Sequence, residues 1–182
     1  MARPRRDSQD VLLERIAAAL GRRRSIQPWT LAEISPAAGL SPAGLLKRFS
    51  SRHGILLALS RRWIDAIPTA AVGAGPADEE LRSWVARRFA ATGPGQVAQG
   101  LVNLLDDLVD DHLRGLLGEG WAKEIRYLSS LLASMGLPRL GDPDRAAALL
   151  FDALTGAMLR RATEPEAHLP TQTLNELMEA WK

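Results

Sequence analysis

Lys47, Arg48, Ser51 and Arg52 stand close together in the chain, with Thr30 upstream, and every one of these side chains can donate a hydrogen bond. Cations and hydroxyls grouped in this way suit the recognition of anionic oxygen, above all the phosphates and base edges of a nucleic acid. The chemistry of turnover has no comparable signal. There is no cysteine, only three scattered histidines, and no H-E-x-x-H, G-x-S-x-G or phosphate-loop pattern. No catalytic residue and no cofactor is therefore expected, and the chain reads as a non-enzyme. One other titratable cluster occurs, Asp106, Asp107, Asp110 and Asp111 followed by His112. Adjacent aspartates on a helix point around it rather than to one centre, so a solvated face is expected here and no metal.

The basic set needs a scaffold, and the local sequence supplies one. Thr30 with Glu33 three residues on is a capping box, in which each side chain satisfies an amide left free at a helix start. Leu31 and Ile34 give that helix an apolar face, and Gly39 stands where the chain must turn back. Ser41 before Pro42 restarts a helix that runs to about Phe49, since serine caps well and proline at the first helical position loses no bond. Two short helices joined by a glycine turn make a helix-turn-helix, whose second member fits the major groove of DNA. Pro36 removes an amide bond to the Ala32 carbonyl, which predicts a shortened or kinked first helix. Gly44 puts a poor helix former inside the second.

Residues 11–63 resemble the DNA-binding domain of TetR-family (tetracycline-repressor-like) transcription regulators. The resemblance rests on Thr30-Leu31-Ala32-Glu33-Ile34, Ala38-Gly39-Leu40-Ser41-Pro42, Leu45 to Phe49, and Ser51-Arg52. It implies that Pro42, Ala43, Gly44, Leu46, Lys47 and Arg48 face the groove, while Thr30, Ser51 and Arg52 meet backbone oxygens. Leu46 stands where the family usually has a phosphate-binding tyrosine, so that contact does not carry over. Ser25 replaces the glycine that commonly ends the first helix. The resemblance also implies a homodimeric, ligand-responsive repressor on a pseudo-palindromic double-stranded operator, with the last two helices forming the dimer interface.

Charge supports this division of labour. Residues 1–65 carry 12 Lys/Arg against 5 Asp/Glu, and residues 66–182 carry 11 against 16. Positive charge gathered on the segment that meets phosphates releases counterions on binding. The basic stretch Arg3, Arg5 and Arg6 suggests a disordered arm, and Arg22 to Arg24 a cationic helix end. Without an apolar leader or a membrane-length apolar run, a cytoplasmic protein with no membrane partner is expected.

Apolar periodicity predicts an all-α chain of two domains. Residues 1–65 read as a three-helix DNA-binding domain and residues 66–182 as a helical ligand-binding and dimerisation domain. In the second, helices are expected over 78–91, 96–117, 121–135, from about 143 onward and over 171–181, with Gly115 and Gly118-Glu119-Gly120 loosening the second of them. A pocket for a small amphipathic or apolar molecule is expected among Trp84, Phe89, Leu104, Leu108, His112, Trp121, Tyr127 and Met158. Ala146, Leu149, Leu150, Ala153, Leu154 and Ala157, with Leu174, Leu177, Met178 and Trp181, form stripes suited to a helix-paired homodimer, although the same stripes also suit a subunit's own core. The alternative to a regulator is a helical adaptor or small-molecule-binding protein that does not bind DNA.

Overall fold

The computed structural model describes residues 8–23, 25, 27–71, 75–90, 93–164 and 166–182. Four helices come first: α1 (Gln9–Gly21), α2 (Leu31–Ala38), α3 (Pro42–Phe49) and α4 (Arg52–Ala66). Each begins at a side-chain cap. Ser8 accepts from the Val11 amide, Thr30 from Glu33, Ser41 from Gly44 and Ser51 from Gly54. Helices as short as α2 and α3 are unstable alone, so burial must hold them. Their inward residues, Ile34, Ala38, Leu45 and Phe49, join Leu12, Leu13, Ile16, Trp29 and Ile55 in one apolar cluster. Fully burying a side chain such as Leu45 contributes about 1.5–3 kcal/mol. This four-helix unit is called the head below.

The α2–α3 turn forms as the capping residues require. Gly39 takes the left-handed conformation at φ 64°, with its amide donating to the Pro36 carbonyl and that of Leu40 to the Ser35 carbonyl. Helix α2 continues through Pro36 to Ala38. The proline is exposed and lies in the last turn, so only the bond to Ala32 is lost before the helix ends in any case.

The body comprises α5 (Ala77–Arg88), α6 (Pro94–Val109), α7 (Asp111–Ser134), α8 (Pro143–Thr163) and α9 (Pro170–Trp181). No strand occurs among the described residues, as an all-α reading requires. Its core is a second cluster, which includes Leu81, Val85, Leu128, Leu131, Leu132, Leu150 and Leu154. Helix α7 is the central beam, packing on α8, α4, α5 and α6. No described helix is long and apolar enough to cross a membrane.

Two expectations about this half are corrected. A helix over 96–117 followed by another from Trp121 is not what forms. The chain breaks at Asp110, which adopts an extended conformation and whose carboxylate accepts from the His112 and Leu113 amides. Arg114 reaches back to the Leu108 carbonyl at 3.1 Å and so satisfies the end of α6. Once started, α7 passes through Gly115, Gly118 and Gly120 without interruption. The weak propensity of these glycines is outweighed by packing, and Gly120 has a positive role. A Cβ there would lie 2.1 Å from Trp63 Cη2, so its absence lets α4 rest directly on α7. Lys123 fastens the same contact by donating to the Ile64 carbonyl at 2.7 Å.

The dimer stripes are divided by the subunit's own core. Ala146, Leu150, Leu154, Leu174 and Met178 are buried within the subunit and present no surface to a partner. Leu149 is 56% exposed, and Ala153, Ala157, Leu177 and Trp181 are half-buried. A stripe read from sequence gives one apolar face, whereas α8 is wide enough to divide its apolar residues between the core and the outside.

Candidate nucleic-acid interface

Helix α3 is held by one face and open on the other. Leu45 and Phe49 point into the head core, while Ser41, Pro42, Ala43, Leu46, Lys47 and Arg48 are exposed and Gly44 is half-buried. Leu46, on the same open face, is 45% exposed. Among the described residues neither Lys47 nor Arg48 has a carboxylate partner. Their charge is uncompensated and available to an anion. The helix ends at Ser50, the one non-glycine residue with positive φ among the described residues, at 68°, and its amide donates to the Leu46 carbonyl at 2.8 Å.

The next turn sets α3 at a fixed angle to α4. Ser51 accepts from the Gly54 amide at 2.9 Å, and its own proton remains available for donation. Gly54 is pressed against the end of α3 so closely that a Cβ would fall 2.0 Å from the Phe49 carbonyl oxygen. Sequence reasoning missed this residue because nothing local marks it. Thr30 is exposed, with its amide and hydroxyl both engaged by Glu33 at 2.6 and 3.1 Å. The Thr30 amide, with the hydroxyl and Arg23 assisting against burial, holds the Glu33 carboxyl below the usual range. Arg23 itself turns inward to Glu33 and the Gln27 carbonyl, while Arg22 remains exposed. Arg3, Arg5, Arg6 and Arg24 lie outside the described residues.

Arg52, expected at a DNA backbone, is engaged within the subunit. Its guanidinium lies 4.8 Å from the Trp29 ring centre and donates to Asp106 of α6 at 2.7 Å. The residue therefore ties the head to the body. An arginine that both stacks and pairs loses more on substitution by lysine than charge alone would suggest.

The eight residues expected to line a ligand pocket differ in their surroundings. Trp84, Phe89 and Tyr127 are buried and pack edge to face, Trp84 on both others at 6.0 and 6.3 Å, and Phe89 on Phe151 at 6.4 Å. Trp121 adds to the group through Phe151 at 6.1 Å. Burial and a hydrogen bond to Glu80 push the Tyr127 phenol upward. Leu104 and Met158 are half-buried, whereas Leu108 and His112 are exposed. His112 misses the interior because the chain breaks just before it, which resets the helical phase that placed it in line with Leu108.

Glu124, which sequence reasoning passed over, is 1% exposed and binds Arg88 Nε at 2.7 Å, leaving Oε2 without a partner. Its signal was its position, one turn from both Trp121 and Tyr127 on the apolar side of α7. Such a buried oxygen is costly unless something donates to it.

A cavity of about 210 Å³ opens between head and body, with Trp29, Leu56, Leu59 and Trp63 on one side and Asn103, Asp106 and Asp107 on the other. None of the expected pocket residues lines it. Burial, with Asp106 and Asp110 adding to it, pushes the Asp107 carboxyl up to about 6. The folded protein thus binds this proton more tightly than the unfolded chain does. The stabilisation is complete below the ordinary value of 3.8 and is lost as pH rises through about 6. Asp107→Asn, which keeps the neutral form, is expected to raise the melting temperature at pH 7.5 but not at pH 4. Equal shifts at both values, by differential scanning fluorimetry, would reject this assignment.

No family model and no curated protein sequence matches the chain. Solved structures do, over nearly its whole length. It is similar to a protein of Pseudomonas aeruginosa PAO1 described as a transcriptional regulator, at 21% identity and a TM-score of 0.61, covering 94% of this chain and 86% of the other. SmeT, the repressor of the Stenotrophomonas maltophilia multidrug efflux pump SmeDEF, is 16% identical with a TM-score of 0.60, covering 97% and 89%. A protein of Mesorhizobium loti MAFF303099 described as a TetR-family transcriptional regulator is 16% identical with a TM-score of 0.63, covering 96% and 97%.

Proposed function

We propose that this chain, whose fold is that of TetR-family regulators, is a DNA-binding transcriptional repressor acting as a homodimer on a pseudo-palindromic operator. One observation carries the reading: α3 is anchored through Leu45 and Phe49 and exposes Lys47 and Arg48, without carboxylate partners, on the basic part of the chain. That arrangement lets a short helix enter a major groove with its cations at the phosphates or base edges. Residues 1–65 serve as the reading domain, with Pro42, Ala43, Gly44 and Leu46 beside the two cations and with Ser51 and Thr30 at its margin. Residues 66–182 serve dimerisation and ligand response.

The dimer would use what α8 and α9 leave outside the core, chiefly Leu149 with Ala153, Ala157, Leu177 and Trp181. Two heads held by one twofold axis would meet successive grooves of a symmetric site. A small amphipathic ligand would act by favouring one dimer shape over another, which requires unequal affinity for the two. The unsatisfied Oε2 of Glu124, close in sequence to Trp121 and Tyr127, supports a ligand with a hydrogen-bond donor on an apolar frame.

Selection of bound sequences from a random duplex pool tests the reading directly. A symmetric motif with two half-sites is expected, and recovery of no enriched sequence would overturn it. Replacing both Lys47 and Arg48 by alanine is expected to weaken binding to the selected duplex by about tenfold or more, with the melting temperature unchanged. The logarithm of affinity should fall linearly with the logarithm of salt concentration, and less steeply in the double variant. Affinity indifferent to salt would instead favour an adaptor.

A further inference from the structure

Two histidines and one aspartate from distant parts of the chain meet where the head touches the body. His53 stands in the first turn of α4, Asp110 caps α7, and His112 lies in the first turn of α7. One ligating atom from each lies within 4.8 Å of the other two. We infer that His53, Asp110 and His112 form a binding site for a divalent transition cation of the zinc class, bridging α4 and α7.

The donor set argues for that class of ion. Two imidazoles and one carboxylate suit zinc, nickel or copper, whereas magnesium and calcium prefer oxygen alone. Ligands about 2.0–2.1 Å from a tetrahedral zinc stand roughly 3.3 Å apart. His53 Nδ1 and Asp110 Oδ2 already stand at 3.5 Å. Only His112, which is exposed and free to change rotamer, has further to move.

The carboxylate is also fixed in advance. Asp110 Oδ1 accepts from the amides of His112 and Leu113, both at 3.0 Å, so Oδ2 is held toward His53. Outer hydrogen bonds of this kind orient metal ligands. The surrounding charge is negative: Asp107 lies one turn back on α6 and Asp111 is adjacent, while Asp106 is occupied by Arg52. Three protein ligands leave one position for water, and the bound ion would staple the start of α4 to the start of α7.

A simple His53–Asp110 ion pair is the competing account, and it gives no part to His112. The test uses the full chain after chelator treatment, at pH 7.5, with Co²⁺ as optical probe and Zn²⁺ as competitor. We expect saturable one-to-one binding, with a visible Co²⁺ band that Zn²⁺ abolishes, and a melting temperature that rises with added Zn²⁺. His112→Ala, on the exposed surface, should weaken binding by about tenfold or more, as should His53→Ala. Asp110→Asn keeps the capping oxygen and should weaken it too. His168→Ala is the control, since His168 pairs with Glu176 at 2.9 Å on another part of the molecule, and should change nothing. Absence of saturable binding, or binding that survives His112→Ala unchanged, would overturn the assignment.

Discussion

A single methyl group added at Gly54 is expected to destabilise the head by about 3 kcal/mol and to remove specific DNA binding. The new carbon would lie 2.0 Å from the Phe49 carbonyl oxygen and 3.1 Å from its carbon. Both are backbone atoms in the last residue of α3, so no rotamer change relieves the overlap. The Ser41 to Phe49 segment and α4 must separate, and the corner through Ser50, already left-handed at φ 68°, has little freedom left to absorb the movement. Gly44→Ala is the matched control. A Cβ there meets Ser41 Oγ at 3.4 Å and Leu40 Cβ at 3.6 Å, ordinary contact distances. It should stabilise α3 by about 0.8–1 kcal/mol through helix propensity. Urea unfolding and binding to the selected duplex check both variants. If Gly54→Ala unfolds at the urea concentration of the parent, the fixed angle between α3 and α4 is not set by that contact.

The contrast between these two glycines explains what was legible in the sequence. Helix starts are local events, decided by residues three positions apart, so the caps at Thr30 and Ser41 identified their elements without the rest of the chain. The same holds for Gly39, whose left-handed turn is required by the two helices it joins. Gly54 carries no such mark, because the atom that forbids its side chain belongs to the preceding helix. Arg52 shows the same limit. Read in its own neighbourhood it follows a cap and suits a phosphate, yet its partners are Trp29 from before α2 and Asp106 from α6.

The break at Asp110 was hidden for another reason. An unbroken series of leucines spaced for one helix runs through it, and the competing cap is a single aspartate within a run of four. A pocket lining is harder to read from sequence, because aromatic rings at helical spacing can pack on one another as readily as they can line a space. Trp84, Phe89 and Tyr127 do the former. A cavity between head and body lies on residues that no single helical stripe contains.

Gly120→Ala addresses how that junction transmits force. Its Cβ would overlap the Trp63 ring, at 2.1 Å from Cη2, 2.2 Å from Cζ3 and 3.0 Å from Cε3. A rigid indole cannot yield by bending. It must swing into the adjoining cavity of about 210 Å³, which it already lines, or α4 must tilt away from α7 and carry Ser51 and Gly54 with it. Overpacking of this kind costs about 1–3 kcal/mol. The second route also alters the seat of α3, so the folded variant is expected to bind the selected duplex with changed affinity although the substitution lies far from DNA. Trp63→Leu separates the two groups. With the ring gone, Gly120→Ala should add no more than about 0.5 kcal/mol, whereas independent sites would show additive losses. Additivity in that double-mutant cycle would mean that α4 does not rest on α7 through this pair, and the path from body to reading helix would have to run through the Arg52–Asp106, His53–Asp110 and Lys123–Ile64 contacts instead.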